Sequence, residues 1–276
     1  MRLLPVLPSL VTLRPLAALL LPASLLVATA FRPLPVPGLR ENRELPAFTA
    51  VSLGTRATVL VRQGSPQRVV VEATPDDQRK LQTEVVNNQL RIYTELTSTR
   101  VGPFKFNLRT ATLAGPVTVY VTLPTVRGLS VSSSGRLQAD TIQAPHLALG
   151  VSSSGRLLLG QVQAGTVRVG LSSSGHLKIS QLRADTLRAM LSSSGSITAA
   201  GVCAYSSLGV SSSGRLNTQS LAVQDCRARI SSSGSCQVNV ARTLDAHLSG
   251  SGSVLVSGHP QIISHASGSG RVRLAE

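Results

Sequence analysis

The sequence predicts an all-β protein, a single-stranded parallel β-helix (β-solenoid) with about 20 residues per coil. The first observation is a serine–glycine motif, Ser-Ser-Ser-Gly or Ser-Gly-Ser-Gly, that occurs eight times at intervals of 18 to 20 residues. The second is the period-two alternation of apolar and polar residues between the motifs, which is typical of strands. The crossover preference of parallel strands leads us to expect a right-handed coil. The last residues of the motifs, called motif glycines below, are Gly135, Gly155, Gly175, Gly195, Gly214, Gly234, Gly252 and Gly270.

Apolar residues recur in columns from one coil to the next. Positions two and four after each motif glycine are mostly apolar, as are positions eight and four before the next one. An ordinary β-sandwich predicts no such columns, so each strand is expected to pair with its equivalent one coil away. A further column, seven residues after each motif glycine, is predicted to face the core and comprises Ile142, Val162, Leu182, Val202 and Leu221.

The serine–glycine motif is predicted to form a tight corner. The residue two before each motif glycine is always Ser or Gly. By the parity of the strand this residue is expected to point inward, where only a very small side chain has room. The motif glycine is expected to supply backbone angles that other residues resist.

The N-terminal part of the sequence is predicted to have three segments. Residues 1–30 have the pattern of a secretory signal peptide, with cleavage after Ala30. An uncleaved membrane anchor is the alternative, but four prolines interrupt the apolar stretch. Residues 31–43 are predicted to be a Pro-rich linker, and residues 44–128 irregular coils that cap the regular solenoid of residues 129–276. No stretch after residue 30 is apolar enough to predict a transmembrane segment in the mature chain.

Two local features of the chain can also be predicted. Thr74 followed by Pro75 indicates one helical turn through Leu81. The three cysteines are an odd number, so at most one disulfide can form, and buried free thiols are expected. Cys226 and Cys236 fall in core columns, whereas Cys203 follows the predicted core residue Val202 and is placed to face outward.

Several segments resemble one known family. They are residues 44–51 (Glu-Leu-Pro-Ala-Phe-Thr-Ala-Val), the strand and turn of residues 59–64, the strand of residues 88–92, and the closing Ser-Gly-Ser-Gly motifs. Together they resemble the head GIN domain family, whose members carry the description "putative autotransporter adhesin", over about residues 44–274. The resemblance implies a β-helical fold and no established activity. It also implies an exported protein located in the bacterial periplasm, on the outer-membrane surface or outside the cell.

The charge of the chain is strongly basic and comes almost entirely from arginine. Lys and Arg number 27 against 12 acidic residues, giving a formal net charge of +15. Two outward columns are predicted to be basic ladders, and an anionic partner such as an acidic envelope polysaccharide or lipopolysaccharide would relieve their repulsion. Solvated surface arginines are the alternative interpretation. The first ladder contains Arg136, Arg156 and His176, with Arg215 two coils further on, and the second contains Arg168, Arg188 and Arg227.

Other classes of site are not supported by the sequence. The acidic residues of the repeats, Asp140, Asp185, Asp225 and Asp245, mostly occupy different phases of the coil, so no paired carboxylates and no catalytic residues are predicted. No metal site and no cofactor are predicted either. His247 and His265 are a weak candidate pair on adjacent coils with no evident third ligand. Nucleic acid is not an expected partner, because 3% aromatic residues and no Trp leave few stacking platforms.

The expected function is that of an exported, non-enzymatic envelope or surface protein, adhesin-like or glycan-binding. One alternative is a carbohydrate-active β-helix enzyme. Another is a structural component that self-associates through its last strand, residues 271–274.

Overall fold

The computed structural model describes residues 38–101, 104–110 and 112–275. The predicted signal peptide, residues 1–30, lies outside these ranges. The N-terminal part of the described chain contains β1 (Leu39–Arg43), β2 (Ala50–Leu53), β3 (Thr58–Gln63), β4 (Arg68–Ala73), α1 (Pro75–Lys80), β5 (Leu81–Val86), β6 (Gln89–Thr94), β7 (Leu96–Val101), β8 (Phe104–Thr110) and β9 (Thr118–Leu123).

The repeats form longer strands that bend around each coil. They are β10 (Gly128–Val131), β11 (Arg136–Val151), β12 (Arg156–Leu171), β13 (His176–Leu191), β14 (Ser196–Val210), β15 (Arg215–Ser231), β16 (Ser235–Ser249), β17 (Ser253–Ser257), β18 (Gln261–Ser267) and β19 (Arg271–Leu274).

The predicted fold class is confirmed: stacked coils form a β-solenoid of about seven turns with about 20 residues per turn. β11 to β16 pair in sequence order and in parallel, each with its equivalent in the next coil. The first and last motifs delimit the regular part, so eight motifs enclose seven turns. The winding hand stays a prediction.

The N-terminal strands extend the same stack. β2 pairs in parallel with β10, and β3 pairs in parallel with β11, so Val51 and Val59 continue core columns of the repeats. Antiparallel strands flank these coils: β4 pairs with β1 and β9, and β5 pairs with β6. β1 begins at Leu39, so residues 39–43 of the predicted linker form a strand instead. In the part of the chain that the structure describes, no helix has the length and apolar character needed to cross a membrane.

The interior is aliphatic and continuous from Phe48 to Val256. The column eight residues before each motif glycine aligns as predicted, from Leu147 through Val167 to Leu187 and onward. Along the straight segments of these strands, buried residues alternate with outward ones, and the outward residues of successive coils line up in columns.

One core prediction is wrong, at Val202. The coil between Gly195 and Gly214 is one residue short, and the register shifts so that Gly201, not Val202, lies opposite Leu182. Val202 therefore faces solvent, with 49% of its surface exposed, and Cys203 takes the buried position at 4%. The expectation that Cys203 faces outward fails for the same reason.

The corner predictions also need correction. No motif glycine has a positive φ; positive values fall two residues earlier, at Ser153, Ser232, Gly250 and Gly268. The residues at that earlier position are half-buried or exposed, rather than pointing into the core. Small side chains are required there by the backbone angle in four coils, and the motif glycine is required by close packing.

Candidate functional site: a basic corner

The first predicted ladder lies at the corner that follows each motif glycine. Arg136 and Arg156 are direct partners in the parallel register of β11 and β12, and His176 follows on β13. Their side chains face solvent because Leu137, Leu157 and Leu177, one residue further on, fill the core. The structure therefore brings these three predicted residues together in one outward column.

The column borders an open pocket at its N-terminal end. This pocket has a volume of about 510 Å³ and is lined by Arg56, Arg136 and Arg156, together with Ser134 and the segment of residues 113–118. We call these three arginines and the pocket the basic corner. Arg56 was missed by the sequence analysis. Aligning Thr58-Val59 of β3 with Arg136-Leu137 of β11 is the signal that would have found it.

The basic corner has unbalanced positive charge. Within the described ranges no carboxylate forms an ion pair with Arg56, Arg136 or Arg156. Adjacent parallel strands lie about 4.8 Å apart, so the two stacked cations repel by roughly 1 kcal/mol in water-like surroundings. A multivalent anion lying across both arginines would remove this repulsion.

The ladder weakens beyond His176. The next member of the column is Ser196, whose Oγ lies 2.6 Å from Nδ1 of His176. Arg215 follows, but its neighbours in the column are Ser196 and Ser235. Arg215 therefore stands alone, and the concentrated charge is confined to the first coils.

The second predicted ladder is split in two. Arg168 and Arg188 are register partners on β12 and β13 and both are exposed. Arg227 lies two coils further on, beyond Ser207, and its Nε donates to Oδ2 of Asp245 at 2.8 Å. This hydrogen bond raises the pKa of Arg227. Arg227 is thus neutralised by a partner, whereas Arg168 and Arg188 form a smaller basic pair.

Two of the acidic residues of the repeats, Asp225 and Asp245, are paired with arginines. Asp225 accepts hydrogen bonds from the Arg242 guanidinium, which holds the pKa of Asp225 below its usual value against the opposing effect of desolvation. Asp245 is engaged by Arg227. These two carboxylates act as ion-pair partners of arginine, and neither faces the basic corner.

The histidine pair is stacked as the sequence predicts. His247 and His265 are register partners on β16 and β18, with ring centroids 5.0 Å apart and an interplanar angle of 26°. No group of three His, Cys, Asp or Glu side chains arranged to hold a metal ion occurs among the residues that the structure describes.

These features define a class of protein: an aliphatic parallel β-solenoid whose outward corners carry clustered cations. The family model described as "putative auto-transporter adhesin, head GIN domain" matches residues 47–260. The chain belongs to this family, as the resemblance in its sequence predicted. Membership implies a location in the cell envelope or at the cell surface. No curated protein is significantly similar to the chain.

Solved structures of proteins from Parabacteroides species share the fold. A "putative lipid binding protein" from Parabacteroides distasonis aligns with a TM-score of 0.80 at 22% identity, covering 87% of this chain and 97% of that one. A "putative adhesin" from Parabacteroides merdae aligns with a TM-score of 0.76 at 16% identity, covering 86% and 96%. A "putative adhesin" from Parabacteroides distasonis gives 0.75 at 18%, covering 86% and 96%. At these identities the likeness establishes the fold alone.

Proposed function

We propose that this protein is an exported, non-enzymatic surface component of a bacterial envelope, adhesin-like, and that its basic corner binds an anionic polysaccharide. The observation that carries the proposal is the adjacency of Arg136 and Arg156, with Arg56 lining the same pocket and no carboxylate paired with any of them in the described ranges. The family description supports the adhesin-like part of the proposal.

The geometry favours a polymer over a small anion. The two arginines project from successive coils along the solenoid axis, about 4.8 Å apart at their Cα atoms. A chain that carries an acidic group on each sugar can engage both arginines while lying along the corner. The pocket between residues 113–118 and Arg136 is open to solvent, so a polymer chain can reach the arginines that line it.

The same arrangement argues against a glycoside hydrolase. Hydrolysis of a glycosidic bond canonically uses two carboxyl groups, an acid and a base or nucleophile, that flank the scissile bond. The residues lining the basic corner include arginine, serine, threonine and apolar residues but no Asp or Glu. Binding without hydrolysis is the chemistry that these side chains support.

The decisive experiment compares two double variants with equal loss of charge. Arg136→Ser/Arg156→Ser removes the adjacent pair. Arg215→Ser/Arg271→Ser removes two arginines of the same column whose neighbours are serines. Binding of the purified protein to immobilised polygalacturonate is measured at low and high salt, with neutral dextran as the uncharged polymer.

We expect Arg136→Ser/Arg156→Ser to bind polygalacturonate at least about tenfold more weakly than the parent, because multivalent contacts need neighbouring arginines. We expect the affinity of Arg215→Ser/Arg271→Ser to stay within about twofold of that of the parent. Equal losses in both variants, or binding that disappears with salt for every acidic polymer alike, would show a solvated basic surface without a site.

A second candidate, a self-associating structural component, is favoured by one observation. In the last described coil the core-column residues Ile262 and Val272 are only partly buried, and Leu274 is 58% exposed. β18 and β19 each have one paired neighbour, so their other edges present free backbone groups. Sedimentation at increasing concentration tests this candidate, and a strict monomer would exclude it.

A further inference from the structure

A second cluster of basic side chains lies near the C-terminal coils of the solenoid. Arg229, His247 and His265 occupy one outward column on β15, β16 and β18. They line an open pocket of about 700 Å³, together with the serines Ser231, Ser249, Ser264 and Ser267. None of these residues belongs to the basic corner.

The neighbouring column orients one of the imidazoles. Asp245 is two residues before His247 on β16, and its Oδ1 lies 2.9 Å from Nε2 of His247. Its other oxygen, Oδ2, accepts the hydrogen bond from Arg227 at 2.8 Å. Burial opposes ionisation of Asp245, but Arg227 and His247 outweigh it and keep the pKa of Asp245 below its usual value. Asp245 therefore stays ionised and accepts a hydrogen bond from Nε2 of His247, so that Nδ1 of His247 can donate to an anion once it carries a proton.

The charges of the cluster favour an anion over a metal ion. Arg227 and Asp245 cancel, whereas no described carboxylate forms an ion pair with Arg229. The residues lining the pocket include two imidazoles and one guanidinium but no Asp or Glu. A metal ion would face Arg229 and lack a third protein ligand among the described residues.

We propose that Arg229, His247 and His265 form a binding site for a tetrahedral oxyanion, a phosphate or sulfate group, and that this site strengthens on mild acidification. A tetrahedral oxyanion accepts hydrogen bonds in several directions. It therefore suits a pocket whose donors are one guanidinium, two imidazoles and serine hydroxyls.

The acid dependence follows from the stacking. Imidazole is the side chain that most readily gains a proton on mild acidification, so acidification adds positive charge to a column that already contains Arg229. Two protonated rings 5.0 Å apart repel each other, and an oxyanion that contacts both offsets that repulsion. The charged or titratable groups around the pair are Arg227 and Arg229 on β15 and Asp245 on β16. Asp245 offsets only part of the added charge, because it already pairs with Arg227.

The test uses inorganic sulfate, whose own charge is constant between pH 5.5 and 8.0. Sulfate is titrated into the full protein while the histidine ring signals are followed by NMR at both pH values. We compare His247→Gln, His265→Gln and Arg229→Gln with His146→Gln, an exposed histidine in another column. We expect at least about tenfold tighter binding at pH 5.5 in the parent and in His146→Gln. In His247→Gln and His265→Gln we expect the difference in sulfate affinity between the two pH values to be lost. In Arg229→Gln we expect weaker sulfate binding at both pH values.

Several results would overturn the site. They are sulfate binding with the same affinity at both pH values, equal effects of His146→Gln and His247→Gln, and ring signals that respond to zinc but not to sulfate. Comparing inorganic phosphate with intact and dephosphorylated lipopolysaccharide identifies the source of the oxyanion. The inference is independent of the proposed function, because Arg136→Ser/Arg156→Ser leaves this pocket intact.

Discussion

Gly155 packs directly beneath Val131 of the preceding coil. A β-carbon on Gly155 would lie 2.4 Å from Cγ1 of Val131 and 2.6 Å from the carbonyl oxygen of Ser133. Equivalent contacts occur at Gly175 with Val151 and at Gly195 with Leu171. The motif glycine is therefore fixed by the approach of adjacent coils, which explains why it recurs although its φ is not positive.

The first prediction concerns this contact. Gly155→Ala should lower the free energy of unfolding by about 1–3 kcal/mol or more, because backbone and core side chains must move to admit the new methyl group. Gly170→Ala is the matched control in the same coil, since a β-carbon there meets nothing within 4 Å. It should be neutral or slightly stabilising. Urea unfolding followed by circular dichroism measures both, and equal stabilities of the two variants would contradict the packing argument.

The second prediction concerns the residue two before the motif glycine. Ser232 has a φ of 102°, and its partners in the following coils, Gly250 and Gly268, have similar values of 105° and 109°. Ser232→Gly should therefore raise the free energy of unfolding by about 1 kcal/mol, because it relieves a side chain in a region that favours glycine. Ser212→Gly, at the same position one coil earlier without a positive φ, should lower it by about 0.5–1 kcal/mol. Thermal unfolding of the two variants in parallel tests the sign, and a shift in the same direction for both would refute the explanation.

The fold was predictable because its information is repeated. Each core column recurs in every coil. The alternation around Leu137, Leu157 and Leu177 therefore predicts the strands even where a single residue departs from the pattern. The error at Val202 arose where that redundancy fails. A coil that is one residue short can lack that residue at several positions. The register shows that the missing position lies directly before Gly201, which therefore pairs with the residue at the next core position.

The candidate sites were predictable only in part. The stacking of Arg136 on Arg156 follows from the repeat period. The repeat period also places Arg227 beside Asp245, since both lie seven residues before a motif glycine and are register partners, but it does not specify the side-chain rotamers that join them. Arg56 lies in the irregular coils, where the alignment of β3 with β11, rather than the repeat period, relates it to the basic corner. Chemistry that depends on neighbouring side chains therefore required the structure.

The third prediction concerns the buried carboxylate of Asp77, close to the basic corner. Asp77 accepts hydrogen bonds from the backbone N–H groups of Ala114 and Gly115 and from the hydroxyl of Thr74, at 2.8–3.1 Å. Burial opposes ionisation, but these donors and Lys80 outweigh it, so the pKa of Asp77 lies below its usual value. Asp77→Asn should lower the free energy of unfolding at pH 7 by about 1–3 kcal/mol, because an amide cannot accept at both oxygen positions.

The pH dependence of this effect has a defined sign. A carboxylate with a lower pKa in the folded state stabilises the fold above its unfolded pKa of about 3.9, and this contribution is lost as pH falls. The parent should therefore lose stability below about pH 5 more steeply than Asp77→Asn does. Asp76→Asn is the control, since Asp76 is exposed and its ion pair among the described residues is the surface pair with Arg79. Parallel acid-unfolding curves for the parent and Asp77→Asn would disprove this role.

The fourth prediction concerns the three thiols. Cys203, Cys226 and Cys236 are all free and buried. Desolvation raises the pKa of each thiol, to about 11 for Cys226. A thiol reacts as its thiolate, so the native protein at pH 8 should react with a disulfide reagent about tenfold or more slowly than the urea-unfolded chain, which should yield three thiols.

The order of labelling tests the corrected register. Cys203 lines an open groove beside Val202 and donates to the carbonyl oxygen of Tyr205 at 3.1 Å, whereas Cys236 is only 1% exposed. Cys203 should therefore be the first thiol to react in the native state, and Cys203→Ser should remove that first phase while leaving the slower ones. If Cys203 in the native protein reacts as fast as the thiols of the unfolded chain, Cys203 faces solvent. The alignment of Gly201 with Leu182 would then be wrong.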